Sequence, residues 1–188
     1  MGSVKMLRLW VLLLLISGCG GMLDDIAPSG SDKRPPVTCG IIGPDVCQIA
    51  QDFTLSDSLG NSVTLSSVIS TPGVRGTVIY FTMWCPVCDM HMSNMRYSVA
   101  PNYPDVRFFL VDYVSGSVAN ARSVELSSGY AGSGLTVLAD TDGTVIAQYR
   151  ATHATMGTTI VIDSAGVVRL NEDYKDGARL RAALSALP

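Results

Sequence analysis

From residue 53 onward the chain is a succession of short apolar runs separated by turn residues, and the spacing within each run predicts its form. Phe53-Thr54-Leu55 and Ser62-Val63-Thr64-Leu65 flank Gly60-Asn61, which predicts a β-hairpin at the start of the domain. The β-branched and aromatic stretch 77–82 predicts a buried strand, and 88–100 a helix. A second buried strand is expected over 106–111 and a helix over 118–127. Short strands are expected at 135–139, 145–149, 158–162 and 167–170, with turns at Asp142-Gly143 and Ala165-Gly166, before a last helix over 177–187. Strands alternating with helices predict an α/β domain.

Upstream the pattern differs. Lys5 and Arg8 precede an apolar run, 9–16, that is too short to span a bilayer, so residues 1–18 are expected to be a targeting signal. Ile16-Ser17-Gly18-Cys19 resembles a bacterial lipobox, which implies a lipoprotein signal peptide and lipidation at Cys19. An ordinary secretory signal or an uncleaved anchor, with Cys19 incidental, is the alternative. Residues 19–38 are rich in Gly, Pro, Ser and Asp with little apolar periodicity, and read as a flexible tether. The domain proper is expected over 39–188, lipid-anchored in the cell envelope and facing the periplasm or exterior. Acyl chains contribute about 0.8 kcal/mol per buried methylene, enough for stable anchoring when two or three are present.

With 188 residues, 47% of them hydrophobic, the chain suffices for one domain with a sizeable core. The formal charge of -3, with Lys and Arg scattered, gives no electrostatic footprint for nucleic acid.

Five cysteines leave an odd one in an oxidising compartment, and lipidation of Cys19 removes it. Cys39 and Cys47 read as a stabilising disulfide at the start of the domain, or alternatively as a redox relay exchanging with Cys85. Cys85 and Cys88 lie in Trp84-Cys85-Pro86-Val87-Cys88, between a predicted strand and a predicted helix. That setting puts Cys85 at the helix N-cap and Pro86 at the first helical position, where its missing N–H costs nothing. Free N–H groups and the helix dipole stabilise a thiolate, which lowers the Cys85 pKa from about 8.5 and predicts it as the nucleophile. Cys88, one turn on, is the expected resolving cysteine. Half of a zinc site and an inert structural disulfide are the competing readings; Cys39 and Cys47 have no common knuckle spacing to complete the former.

These residues resemble the thioredoxin superfamily, and within it the TlpA-like and ResA-like (AhpC/TSA-redoxin) envelope thiol:disulfide oxidoreductases. The carriers are residues 81–88, Val137-Leu138-Ala139-Asp140-Thr141-Asp142-Gly143, and Thr158-Thr159-Ile160-Val161-Ile162-Asp163-Ser164-Ala165-Gly166. The resemblance implies a thioredoxin-like fold, a central mixed β-sheet flanked by helices with an N-terminal β-hairpin extension. It also implies a redox-active disulfide as the working group, protein thiol or disulfide substrates, and an envelope electron donor, often in cytochrome c or copper-site maturation. Two positions depart from the family. Its cis-proline before the strand at 158–162 is replaced by Met156-Gly157, and no proline lies between Pro104 and Pro188. Three residues past Cys88, where ResA-like members often carry glutamate, stands His91, able to shuttle a proton or stabilise a thiolate, or else a half-exposed helix residue without a role.

The missing proline makes room for metal, so a copper-binding chaperone or metallochaperone reductase using Cys85, Cys88 and His91 is the alternative function, and a thiol peroxidase a weaker one. Met83, Met90, Met92 and Met95 crowd the same region and would suit Cu(I), but Cys88, Met92, Met95 and Val99 recur at helical spacing, the signature of a core-facing stripe. The peroxidase pattern Pro-x-x-x-Thr/Ser-x-x-Cys does not precede Cys85. Trp84, Pro86 and Gly157 are expected to support the cysteine pair. Asp140, Asp142 and Asp163 read as turn formers.

Overall fold

The computed structural model describes residues 36–149 and 157–188. The targeting signal, Cys19, most of the expected tether and Met156 lie outside these residues.

Seven strands form one open mixed sheet: β1 (Thr54–Asp57), β2 (Ser62–Thr64), β3 (Gly76–Thr82), β4 (Val106–Asp112), β5 (Thr136–Ala139), β6 (Thr158–Asp163) and β7 (Val168–Asp173). Their order is β2-β1-β5-β4-β3-β6-β7. β3 and β5 lie parallel to β4, whereas β6 and β7 continue antiparallel beyond β3. The predicted hairpin is β1-β2, with Leu55 opposite Val63, and it joins the sheet by pairing β1 with β5.

The helices are α1 (Leu65–Ile69), α2 (Pro86–Asn94), α3 (Val118–Ser127), α4 (Thr144–Tyr149) and α5 (Ala178–Ser185). Alternation along the strands decides which of them they meet. Val78 and Tyr80 of β3, Phe108 and Leu110 of β4 and Val161 of β6 pack with α2 and α5. Ile79, Phe81, Phe109, Val111, Ile160 and Ile162 turn to the other face and pack with α1 and α4. Each large apolar side chain so buried contributes about 1.5–3 kcal/mol, which is why β3, buried along its whole length, anchors the sheet.

Three elements differ from the sequence expectation. Residues 145–149 were expected as a strand and are helical, because the buried Asp140 carboxylate accepts the N–H groups of Val145 and Ile146 and caps α4. Val145, Ile146 and Tyr149 still bury their side chains, now on a helical face. Leu65 begins α1 instead of ending β2, since Asp52 accepts from both the amide and the hydroxyl of Ser66. The helix expected over 88–100 runs regularly only to Asn94; a π-helical turn, Met95–Val99, and a short 3-10 turn, Ala100–Asn102, complete it. The wider turn keeps Met95 and Val99 in line with Cys88 and Met92, and all four are buried.

Candidate active site

The site forms where β3 ends and α2 begins. Thr82 closes the strand, its Oγ1 accepts the N–H of Trp84, and Trp84 turns the chain with a left-handed backbone, φ 58°. Such a conformation costs a non-glycine residue on the order of 1–3 kcal/mol and is kept only where its surroundings enforce it. Here the turn delivers Cys85 to the N-cap of α2 with Pro86 directly after it.

Cys85 and Cys88 are disulfide-bonded, with Cα atoms 4.9 Å apart. Cys85 is partly exposed and its Sγ accepts the Cys88 N–H at 3.1 Å. Cys88 is only 1% exposed and faces the core. A sulfur at a helix N-terminus sits among unpaired N–H groups, an environment that favours negative charge. Near Cys85 in sequence, Met83, Val87 and Met90 are exposed, and so is Asp89. Trp84, Cys85, Pro86, Asp89, Met92 and Ser128 line a shallow depression beside the pair. The Trp84 ring lies 6.1 Å from that of Tyr130, whose hydroxyl donates to the Asp89 carboxylate at 2.7 Å.

His91 is not the half-exposed helix residue of the bland sequence reading. It is 9% exposed, with Nδ1 3.0 Å from the Tyr80 hydroxyl and its ring 4.8 Å from that of Tyr174. Burial, opposed by the charge of Asp173, holds its pKa below the ordinary histidine value. Gly157 comes against the same group: a Cβ there would stand 3.1 Å from both His91 Nδ1 and the Tyr80 hydroxyl. Among the described residues there is no cis peptide bond.

The methionines divide as the helical stripe predicts. Met92 and Met95 are buried in the core and Met83 and Met90 are exposed. Among the described residues no three His, Cys, Asp or Glu side chains stand together so as to hold a metal ion.

Cys39 and Cys47 are joined to each other. The Cys47 amide donates to Val168, which pairs with Ile162, itself opposite Thr77. Thr77 lies five residues before Thr82, so at about 3.3 Å per residue this disulfide is roughly 17 Å from the cysteine end of β3. The alternative of a relay exchanging with Cys85 is out of reach. Asp140, Asp142 and Asp163 all accept backbone N–H groups at turns or helix starts, as turn formers do.

Sequence reasoning missed Tyr80, Tyr174, Asn94, Tyr130 and Asp89 around this site. For Tyr80 a signal existed, since alternation from Val78 puts it on the α2 face; for the others none did.

A model of the AhpC/TSA family matches residues 46–171. No curated protein matches the chain. Among similar solved structures is that of a Chlorobium tepidum protein provisionally named a thiol:disulfide interchange protein DsbE, 22% identical, with a TM-score of 0.63 over 76% of this chain and 96% of that one. A secreted Mycobacterium tuberculosis disulfide oxidoreductase homologous to E. coli DsbE is 21% identical, TM-score 0.54, over 72% and 96%. The Mycobacterium tuberculosis peroxidoxin BcpB is 21% identical, TM-score 0.56, over 73% and 92%. At these identities the likeness establishes the fold, which is thioredoxin-like as expected. The enzyme class expected from the sequence is the one printed for the second of these neighbours.

Proposed function

The chain belongs to the AhpC/TSA family, and from that premise we propose that it is a thiol:disulfide oxidoreductase acting on cell-envelope proteins through Cys85 and Cys88. One observation carries the reading: of two bonded sulfurs, one lies accessible at a helix N-terminus and the other is buried three residues on.

In the reductive direction the Cys85 thiolate attacks one sulfur of a substrate disulfide, forming a mixed disulfide and releasing the other substrate sulfur as a thiolate. Cys88 then loses its proton and attacks the Cys85 sulfur. The Cys85–Cys88 bond re-forms, the second substrate thiolate leaves, and two electrons have passed to the substrate. A dithiol donor in the envelope restores the pair. Oxidation of a substrate dithiol is the same sequence reversed.

The lipobox-like run ending in Cys19 and the expected tether support an anchored envelope protein. Among the described residues no helix is long and apolar enough to cross a membrane. The family resemblance of the sequence favours clients in cytochrome c or copper-site maturation. The test is reduction of insulin by dithiothreitol with wild type and Cys85→Ser: loss of the acceleration in the variant is expected, and equal activity in both would end the proposal.

A further inference from the structure

One turn along α2 from Cys88 lies an enclosed polar group that the exchange steps leave unused. The Tyr80 hydroxyl, wholly buried on β3, meets Nδ1 of His91 at 3.0 Å. Tyr174 packs on the same imidazole, and its own hydroxyl is held by Asn94. Gly157 closes over both with φ +79°, a conformation that excludes proline and strains any other side chain. The atoms that a side chain at 157 would strike are His91 Nδ1 and the Tyr80 hydroxyl. The glycine in place of the family's proline and the tyrosine–histidine contact are therefore one arrangement.

We propose that Tyr80 is a positioning residue for the Cys85–Cys88 chemistry, holding His91 by Nδ1 beneath the active-site helix in a space that Gly157 keeps open. This deepens the oxidoreductase reading and rests on it. Burial pushes the Tyr80 hydroxyl pKa up, so it stays protonated, and in this proposal it is the donor of the 3.0 Å bond to Nδ1. Nδ1 then accepts, and the neutral imidazole carries its proton on Nε2. A proton arriving at Nδ1 would set N–H against O–H and force the hydroxyl to turn. The groups that meet His91 are Tyr80 from β3, Asp173 at the end of β7 and Tyr174 just after it; of these Asp173 draws it toward the cation. Burial opposes that draw, and in the proposal the Tyr80 bond to Nδ1 adds to that opposition, so His91 remains neutral and able to take up a proton when negative charge appears on the sulfurs at the head of α2.

The test uses the reduced full-length protein. Nitrogen-15 NMR of wild type is expected to show His91 as the Nε2–H tautomer, and an Nδ1–H tautomer overturns the proposal without any variant. In Tyr80→Phe the lost hydrogen bond is expected to raise the proton affinity of His91 about fivefold. The pH profile of Cys85 alkylation is expected to move in the same direction. A tautomer and alkylation profile unchanged in Tyr80→Phe overturn the proposal, since a purely structural tyrosine would leave both alone. Gly157→Ala is expected to slow alkylation more in wild type than in Tyr80→Phe, because only wild type has the hydroxyl to strike; equal effects count against it. Insulin reduction speaks to the oxidoreductase reading alone, so its failure beside an intact His91 shift would be the failure of that reading and not of the pairing.

Discussion

The amide of Cys88 donates to the sulfur of Cys85 across 3.1 Å, so the buried member of the pair supplies the capping hydrogen bond of the accessible one. The two cysteines are therefore chemically unequal before any substrate arrives. Cys85 can meet a partner sulfur, whereas Cys88 can meet only Cys85.

In reduced protein, iodoacetamide should modify Cys85 at least about tenfold faster than Cys88, because reactivity follows thiolate character and access. Peptide mass spectrometry over time would show it. Cys88→Ser should accumulate a mixed disulfide with substrate and Cys85→Ser should not; comparable trapping by both variants would mean that the roles are wrongly assigned.

Replacing Cys39 and Cys47 together by alanine should cost about 2.5 kcal/mol, the loop-closure value for so short a ring. Their disulfide is remote from α2, so insulin reduction below the lowered melting temperature should be unchanged. A loss of activity in a variant still folded by circular dichroism would contradict that separation.

Asp140 should make the domain less stable as pH rises through the acid range. Burial, outweighing its two amide hydrogen bonds, raises its folded pKa above 3.8, so the folded state holds the proton more tightly than the unfolded one. The stability gained from that proton is complete below 3.8 and lost as pH climbs through the folded value. Asp140→Asn does not titrate, so urea midpoints between about pH 3 and pH 6 should show wild type falling relative to the variant. Parallel curves would refute this.

On α2, Met92→Ala should destabilise by about 3 kcal/mol through the cavity it leaves, and Met90→Ala by less than about 0.5 kcal/mol. Chemical denaturation of both reads the contrast. Similar costs would mean that the stripe of Cys88, Met92, Met95 and Val99 is not the face that packs.

What could be read in the chain follows from where structure is local. The run Thr77 to Thr82 is β-branched and aromatic, and Pro86 behind Cys85 signals a helix start, so β3, α2 and the cysteine pair were legible without coordinates. Val145-Ile146 carries strand propensity, but one carboxylate five residues upstream, Asp140, caps it into a helix. His91 looked like a surface residue because the rings that enclose it, Tyr80 on β3 and Tyr174 just past β7, come from 11 and 83 positions away. Contacts of that separation leave no periodic trace. The absent proline was visible as a gap, but that Gly157 leaves room for Tyr80 and His91 required the fold.

The loop closed by Cys39 and Cys47 also does something for β7, the last strand of the sheet. Cys47 donates to the carbonyl of Val168, Val168 donates back to Gln48, and Asn171 reaches Pro44. Those groups would otherwise form an open edge, ready to accept an extended segment of another chain as an eighth strand. An oxidoreductase that acts on other proteins, as proposed for this chain, is exposed to that kind of capture. With the clamp in place, the outer start of β7 is closed to strand addition.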